Sequence, residues 1–175
     1  MDIMINYDLK KIKLIVFDVD GVLSANTTPL AADGQPQRSA NVKDGYAVHH
    51  AAKVGLKIAI ISGGFSETVR DRYIKLGCQD VHIAVSRKIE VYDNLLEKYS
   101  LKDEDVLVMG DDIPDYEMMK RCGCPCCPRD ASAEIRDISV YVSHKDGGLG
   151  CARDVIEQVL KAQGLWMNDN MSYVW

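Results

Sequence analysis

Short runs of aliphatic and β-branched residues recur along the chain at 12–17 (IKLIVF), 57–61 (KIAII), 80–84 (DVHIA), 105–110 (DVLVMG) and 138–142 (ISVYV). Between them, apolar residues fall at helical spacing: Val69, Tyr73 and Leu76; Ile89, Tyr92, Leu96 and Tyr99; and Val155, Val159 and Leu160. Residues 43–55 predict a further helix, closed by Gly55, where left-handed backbone costs little. Strands alternating with helices predict an α/β fold, in which a central parallel sheet is crossed over by helices. Residues 24–42 break the alternation. There Asp33-Gly34 is a plausible turn between two extended pieces, which predicts a β-hairpin insertion after the first strand. A length of 175 residues suits one domain over 1–175. Its last stretch, 164–175, is an aromatic tail expected either to dock on a neighbouring copy or to pack on its own domain.

Composition narrows the function classes. Hydrophobic residues make up 47% and charged residues 27%, which is globular rather than disordered. A formal net charge of −5 argues against a nucleic-acid partner. No apolar run approaches a membrane span, and the opening MDIMINYDLKK lacks signal-peptide order, so the expected compartment is the cytoplasm. There the six cysteines are expected as reduced thiols. Cys122, Cys124, Cys126 and Cys127 crowd one short segment, whereas structural zinc sites draw on two separated pairs, so they are expected as buried thiols. His49, His50 and His82 lack an obvious catalytic partner, and His144 is a candidate substrate contact beside a glycine-rich stretch.

The chemistry lies where the apolar runs stop. In an open parallel sheet, ligands bind beyond the carboxyl ends of the strands. The first run ends in Asp18-Val19-Asp20-Gly21, where two carboxylates one residue apart can face one crevice. The second ends in Ser62-Gly63-Gly64, a hydroxyl and two glycines whose amides can approach a phosphate. The third is followed by Ser86-Arg87-Lys88, which brings a cation. The fourth runs into Gly110-Asp111-Asp112-Ile113-Pro114-Asp115, carboxylates able to hold a hard cation.

This order of motifs resembles the haloacid dehalogenase (HAD) superfamily, over residues 14–115. The resemblance implies a Rossmann-like three-layer sandwich and a magnesium-dependent phosphatase. It implies Asp18 as the nucleophile, Asp20 as general acid and base, and Ser62, Gly63 and Lys88 around the phosphoryl oxygens. It further implies Asp18, the backbone carbonyl of Asp20 and Asp111 as magnesium ligands, with Asp112 and Asp115 supporting Lys88 or metal-bound waters. Neither gap between motifs holds a cap domain. That is similar to the capless subgroup, in which hairpins from four subunits assemble, so a homotetramer is implied. NVKDGYAV at 41–48 and DGGLGCARDVIEQVL at 146–160 are similar to the branch acting on the keto-sugar acid phosphate 3-deoxy-D-manno-octulosonate 8-phosphate (KDO 8-phosphate), in lipopolysaccharide precursor synthesis. Lys43 and Leu149 depart from arginines common there. Lys43 and Arg153 are the candidate grips on the sugar acid. A sister activity on nine-carbon 9-phosphates and a non-catalytic module of the same fold are the alternatives.

Overall fold

The computed structural model describes residues 4–168 and 170–174. The first apolar run forms β1 (Leu14–Phe17), which lies between β2 (Lys57–Ile61) and β4 (Val106–Met109). Beyond β2 comes β3 (Asp80–His82); beyond β4 come β5 (Cys124–Cys127) and β6 (Tyr141–Val142). All pairings are parallel, in the order β3-β2-β1-β4-β5-β6. The order reverses at β1 and β4, which leaves a crevice at their carboxyl ends.

Strand periodicity splits the core in two. Ile15, Phe17, Leu107 and Met109 pack on one face with α1 (Val42–Lys53), α2 (Glu67–Lys75) and α6 (Cys151–Ala162). Leu14, Val16, Val106 and Val108 pack on the other with α3 (Lys88–Tyr99), α4 (Tyr116–Arg121) and α5 (Ala133–Ile138). Because successive strand side chains alternate faces, continuous apolar runs such as LIVF serve both layers. The expected three-layer α/β fold is present, and every residue of β1 is buried.

The differences from expectation have local causes. Of residues 138–142 only Tyr141 and Val142 form a strand, because Ile138 ends α5 and the Ser139 hydroxyl donates back to the Ile135 carbonyl at 2.8 Å. CPCC at 124–127 is itself a strand, with Cys124 and Cys126 in one core and Cys127 in the other. Pro125 is tolerated inside the sheet because its carbonyl faces Val140 on the β6 side, at 2.9 Å. Its missing N–H therefore points past the start of a two-residue strand. All six cysteines are free and buried. The insertion is a hairpin in outline only. Ala31 N donates to Gln35 O and Gln37 N to Pro29 O, both at 2.8 Å, around a turn with Gly34 at φ +81°, and the ladder is the single bridge Leu30↔Pro36.

The tail packs on its own chain as far as it is described. Trp166 meets His50 edge-on at 5.5 Å, and the Tyr46 hydroxyl donates to the Ser172 carbonyl. Trp175, part of the expected aromatic tail, lies outside the described residues. One capping contact links the helices on this face. Gly150, at φ +106°, offers α6 no side-chain cap; instead the buried Asp44 of α1 accepts from Arg153 N at 2.7 Å, in the first turn of α6. Burial pushes this carboxyl up to about 6. Removing a helix cap typically costs about 0.5–2 kcal/mol. Asp44→Ala is therefore expected to lower the urea midpoint by about 1 kcal/mol equivalent, with the m-value unchanged.

Candidate active site

Each strand end contributes one part. After β1 the chain turns sharply: Asp18 N donates to Met109 O at 3.1 Å, and Gly21, at φ +86°, donates to Ser24 O at 2.9 Å. A Cβ on Gly21 would stand 1.9 Å from Asp111 Oδ2, so only glycine lets the two carboxylate loops close on each other. After β2, the buried Ser62 accepts from Gly64 N at 3.1 Å through its hydroxyl. The loop after β3 is pinned to it, with Ala84 N on Gly64 O and Val85 N on Ser62 O, both at 3.0 Å. Ala84 takes φ +56° to make this turn, an unfavoured backbone for a residue with a Cβ. That loop starts α3 at Lys88, whose side chain leans back towards the sheet edge, as helical side chains do. After β4, Gly110 leaves room for Asp115, whose Cβ would lie 2.4 Å from a Cβ at position 110.

These loops enclose a cavity of about 320 Å³ lined by Asp18, Asp20, Ser62, Gly63, Lys88, Asp111, Asp112 and Asp115, among others. Lys88 is its electrostatic centre. Its Nζ lies 2.7 Å from Asp18 Oδ1 and 2.7 Å from Asp115 Oδ1, and all three side chains are at least nine-tenths buried. Asp115 uses its other oxygen to accept from Asp111 N at 3.1 Å. Carboxylate oxygens of Asp18, Asp111 and Asp115 all lie within 4.8 Å of one another. Two unit charges ~5 Å apart repel by about 3 kcal/mol at an effective dielectric constant of about 20. One ammonium cannot offset three carboxylates. Burial, with Asp115 adding to it and Lys88 opposing, pushes Asp18 up to about 7. Burial, then Asp18, Asp115 and Asp112, pushes Asp111 up to about 8. Burial alone would lower Lys88, but Asp115 and Asp18 hold it above its ordinary value. The excess negative charge and the all-oxygen donor set fit a hard divalent cation between Asp18 and Asp111.

The sequence-derived candidates divide accordingly. Asp18, Asp20, Ser62, Gly63, Lys88, Asp111, Asp112 and Asp115 come together, with Asp112 exposed on the rim. The side chain of Asp20 is not in the carboxylate cluster. It is gripped instead by Arg38, at 2.7 and 2.9 Å. Lys43 and Arg153 do not line this cavity. Lys43 stands in the first turn of α1; Arg153 lies over the rings of Trp166 and Tyr46, at 5.3 and 5.9 Å, with Nε 3.3 Å from Glu157. His144 and Arg153 line a separate recess. Two residues were missed, Arg38 and Asn26. Asn26 lines the cavity and donates to Asp130 at 3.0 Å. Both sit in the irregular insertion, where no periodicity marks which side chains turn inwards.

A family model for haloacid dehalogenase-like hydrolases matches residues 74–152. The chain is 34% identical over 155 residues to the 3-deoxy-D-manno-octulosonate 8-phosphate phosphatase KdsC of Salmonella typhi, covering 89% of this chain and 82% of that relative. The crystal structure of the same phosphatase from Yersinia pestis has a TM-score of 0.86 at 30% identity, over 90% of this chain and 85% of that one. The Moraxella catarrhalis phosphatase, solved in complex with magnesium, phosphate and KDO, has a TM-score of 0.84 at 30% identity, over 90% of both chains.

The crowded carboxylates predict a pH signature. Because Asp18 and Asp111 rise from 3.8 to about 7 and about 8, the folded chain keeps protons that the unfolded chain has released. In chelator, stability is therefore expected to fall as pH rises from about 4 to about 8. Magnesium chloride is expected to raise the melting temperature, by more at the upper end of that window, and Asp111→Asn to flatten both effects. Melting curves across the window, with EDTA or magnesium, check this.

Proposed function

The chain belongs to the haloacid dehalogenase-like hydrolases, and from that premise we propose that it hydrolyses KDO 8-phosphate to KDO and phosphate through an aspartyl-phosphate on Asp18. The observation that carries the reading is the convergence of Asp18, Asp20, Ser62, Lys88 and Asp111 on one cavity. It is supported by the KDO 8-phosphate phosphatases this chain resembles over most of its length.

The residues divide the work. A carboxylate oxygen of Asp18 attacks phosphorus, forming the acyl phosphate as the bond to the sugar C8 oxygen breaks. Asp20 gives its proton to that departing oxygen. In the second half, Asp20 takes a proton from water, whose oxygen attacks the same phosphorus. The bond to Asp18 then breaks, so phosphate leaves and the carboxylate is restored. Lys88 and the Ser62-Gly63 loop hold the phosphoryl oxygens, and their fixed positions lower the barrier because little reorganisation is needed at the moment of transfer. Asp115 keeps Lys88 charged and aimed. Asp18, Asp111 and the Asp20 carbonyl would hold magnesium, which when bound neutralises charge on the transferring group. Asp112, on the rim, would support waters around the metal.

The assembly and compartment belong to the same proposal. With only a short hairpin between β1 and α1, a capless homotetramer closes the site from neighbouring copies. Leu30, Val42 and Phe65, 68%, 66% and 60% exposed, supply apolar surface for it. Lys43 or Arg153 then meets the substrate carboxylate across that interface. No helix among the described residues is long and apolar enough to cross a membrane, and a cytoplasmic setting accords with that.

Phosphate release with magnesium tests the reading against KDO 8-phosphate, nine-carbon keto-sugar acid 9-phosphates and simple hexose phosphates. The expected kcat/KM for KDO 8-phosphate exceeds the others by tenfold or more, about 1.4 kcal/mol of transition-state preference. Asp18→Asn is expected to fall to the blank. A nine-carbon preference would move the substrate to the sister activity, and no release from any ester would overturn the phosphatase reading.

A further inference from the structure

The ion pair between Arg38 and Asp20 belongs to neither the phosphate loop nor the carboxylate cluster. Arg38 Nε and Nη2 reach Asp20 Oδ1 and Oδ2 at 2.7 and 2.9 Å, and Nη1 donates to the Phe65 carbonyl at 3.3 Å. One guanidinium thus ties the returning limb of the insertion to the loops after β1 and β2. The Arg38 side chain is 6% exposed and that of Asp20 42%. The arginine therefore lies behind the carboxylate and leaves its cavity side open. Gly64 supplies the space, since a Cβ there would stand 2.2 Å from Nη2. A carboxylate has about four acceptor positions, and a forked guanidinium takes two of them. The others stay free for a proton or a water in the cavity.

We propose that Arg38 is a positioning residue for general acid catalysis: its fork fixes the rotamer from which Asp20 delivers a proton to the leaving oxygen. This rests on the reading of Asp20 as the general acid. Proton transfer requires the donor oxygen within about 2.6–3.2 Å of its acceptor. A carboxylate on an exposed turn, left alone, samples several staggered rotamers and spends little time there. Two hydrogen bonds to a planar, always-charged group that is itself held by Phe65 O select one. Arg38 neither gives nor takes a proton in this scheme. The P–O bond to the leaving group breaks, the Asp18–P bond forms, and the proton moves from Asp20 to the leaving oxygen. The insertion thereby acts on catalysis through one side chain, in addition to any role in assembly.

The test compares leaving groups. For each enzyme, kcat/KM is measured on KDO 8-phosphate, whose alkoxide must be protonated, and on 2,4-dinitrophenyl phosphate, whose leaving group departs without a proton. The ratio of the two is independent of how much of a preparation is folded. General acid–base catalysis is typically worth about 10²–10⁴-fold. Arg38→Met is expected to lower the sugar phosphate value by about ten- to a hundredfold, and the aryl phosphate value by less than about threefold. Arg38→Lys, which keeps the charge and loses the fork, is expected to fall between wild type and Arg38→Met. In an Asp20→Asn background, Arg38→Met is expected to change nothing further. Equal loss on both substrates, or no loss, with Arg38→Met overturns the inference. Asp20→Asn serves as the reference: a selective loss there with none in Arg38→Met removes Arg38 alone, whereas equal loss there on both substrates removes the acid role and the inference with it.

Discussion

The buried contact of Lys88 with Asp18 and Asp115 is the constraint on which the rest of the site depends. A parallel sheet directs its strand ends into one crevice, and here three of the groups delivered there are carboxylates within 4.8 Å of one another. Burial makes Asp18 and Asp111 more costly to ionise, and one ammonium, at 2.7 Å from Asp18 and from Asp115, offsets only part of the crowded negative charge. The balance falls to a divalent cation. The excess negative charge and the fit to a divalent cation are thus two descriptions of one arrangement. A fold that relieved the crowding with more lysines would be more stable without metal and would hold no charge in reserve for the transferring group.

The backbone pays for this geometry at a few positions. Gly21 and Gly110 bring Asp111 and Asp115 closer than any side chain would allow, and Ala84 accepts a left-handed backbone so that the loop after β3 can dock on the loop after β2. These positions set where Lys88 stands, because α3 begins directly after that docked loop. The packing of β1, buried on both faces, supplies the rigid base against which such adjustments hold.

Much of this was legible in the chain, and for a physical reason. Where an apolar run is long enough to be a buried strand, the polar residue that ends it must lie at the sheet edge, so Asp18, Ser62 and Asp111 could be assigned to one crevice without knowing a single distance. Lys88 followed from its place after β3. β5 was not read as a strand because CPCC has no β-branched residue and contains a proline, which only the shortness of β6 makes acceptable. Arg38 could not be read because its partner lies 18 residues away across an irregular insertion that carries no period. Lys43 and Arg153 were chosen from stretches of sequence similarity. The packing of Arg153 on Tyr46 and Trp166 sets it apart from the cavity of its own chain.

In the proposed mechanism Asp18 becomes covalently phosphorylated and Asp20 does not. The most direct measurement of this is acid quench of the enzyme during turnover, borohydride reduction of any acyl phosphate, and mass spectrometry of the peptide carrying residues 14–24. Reduction is expected at Asp18 alone, and only when substrate and magnesium are both present. Reduction at Asp20, or an unmodified peptide from an enzyme that is turning over, would overturn this mechanism.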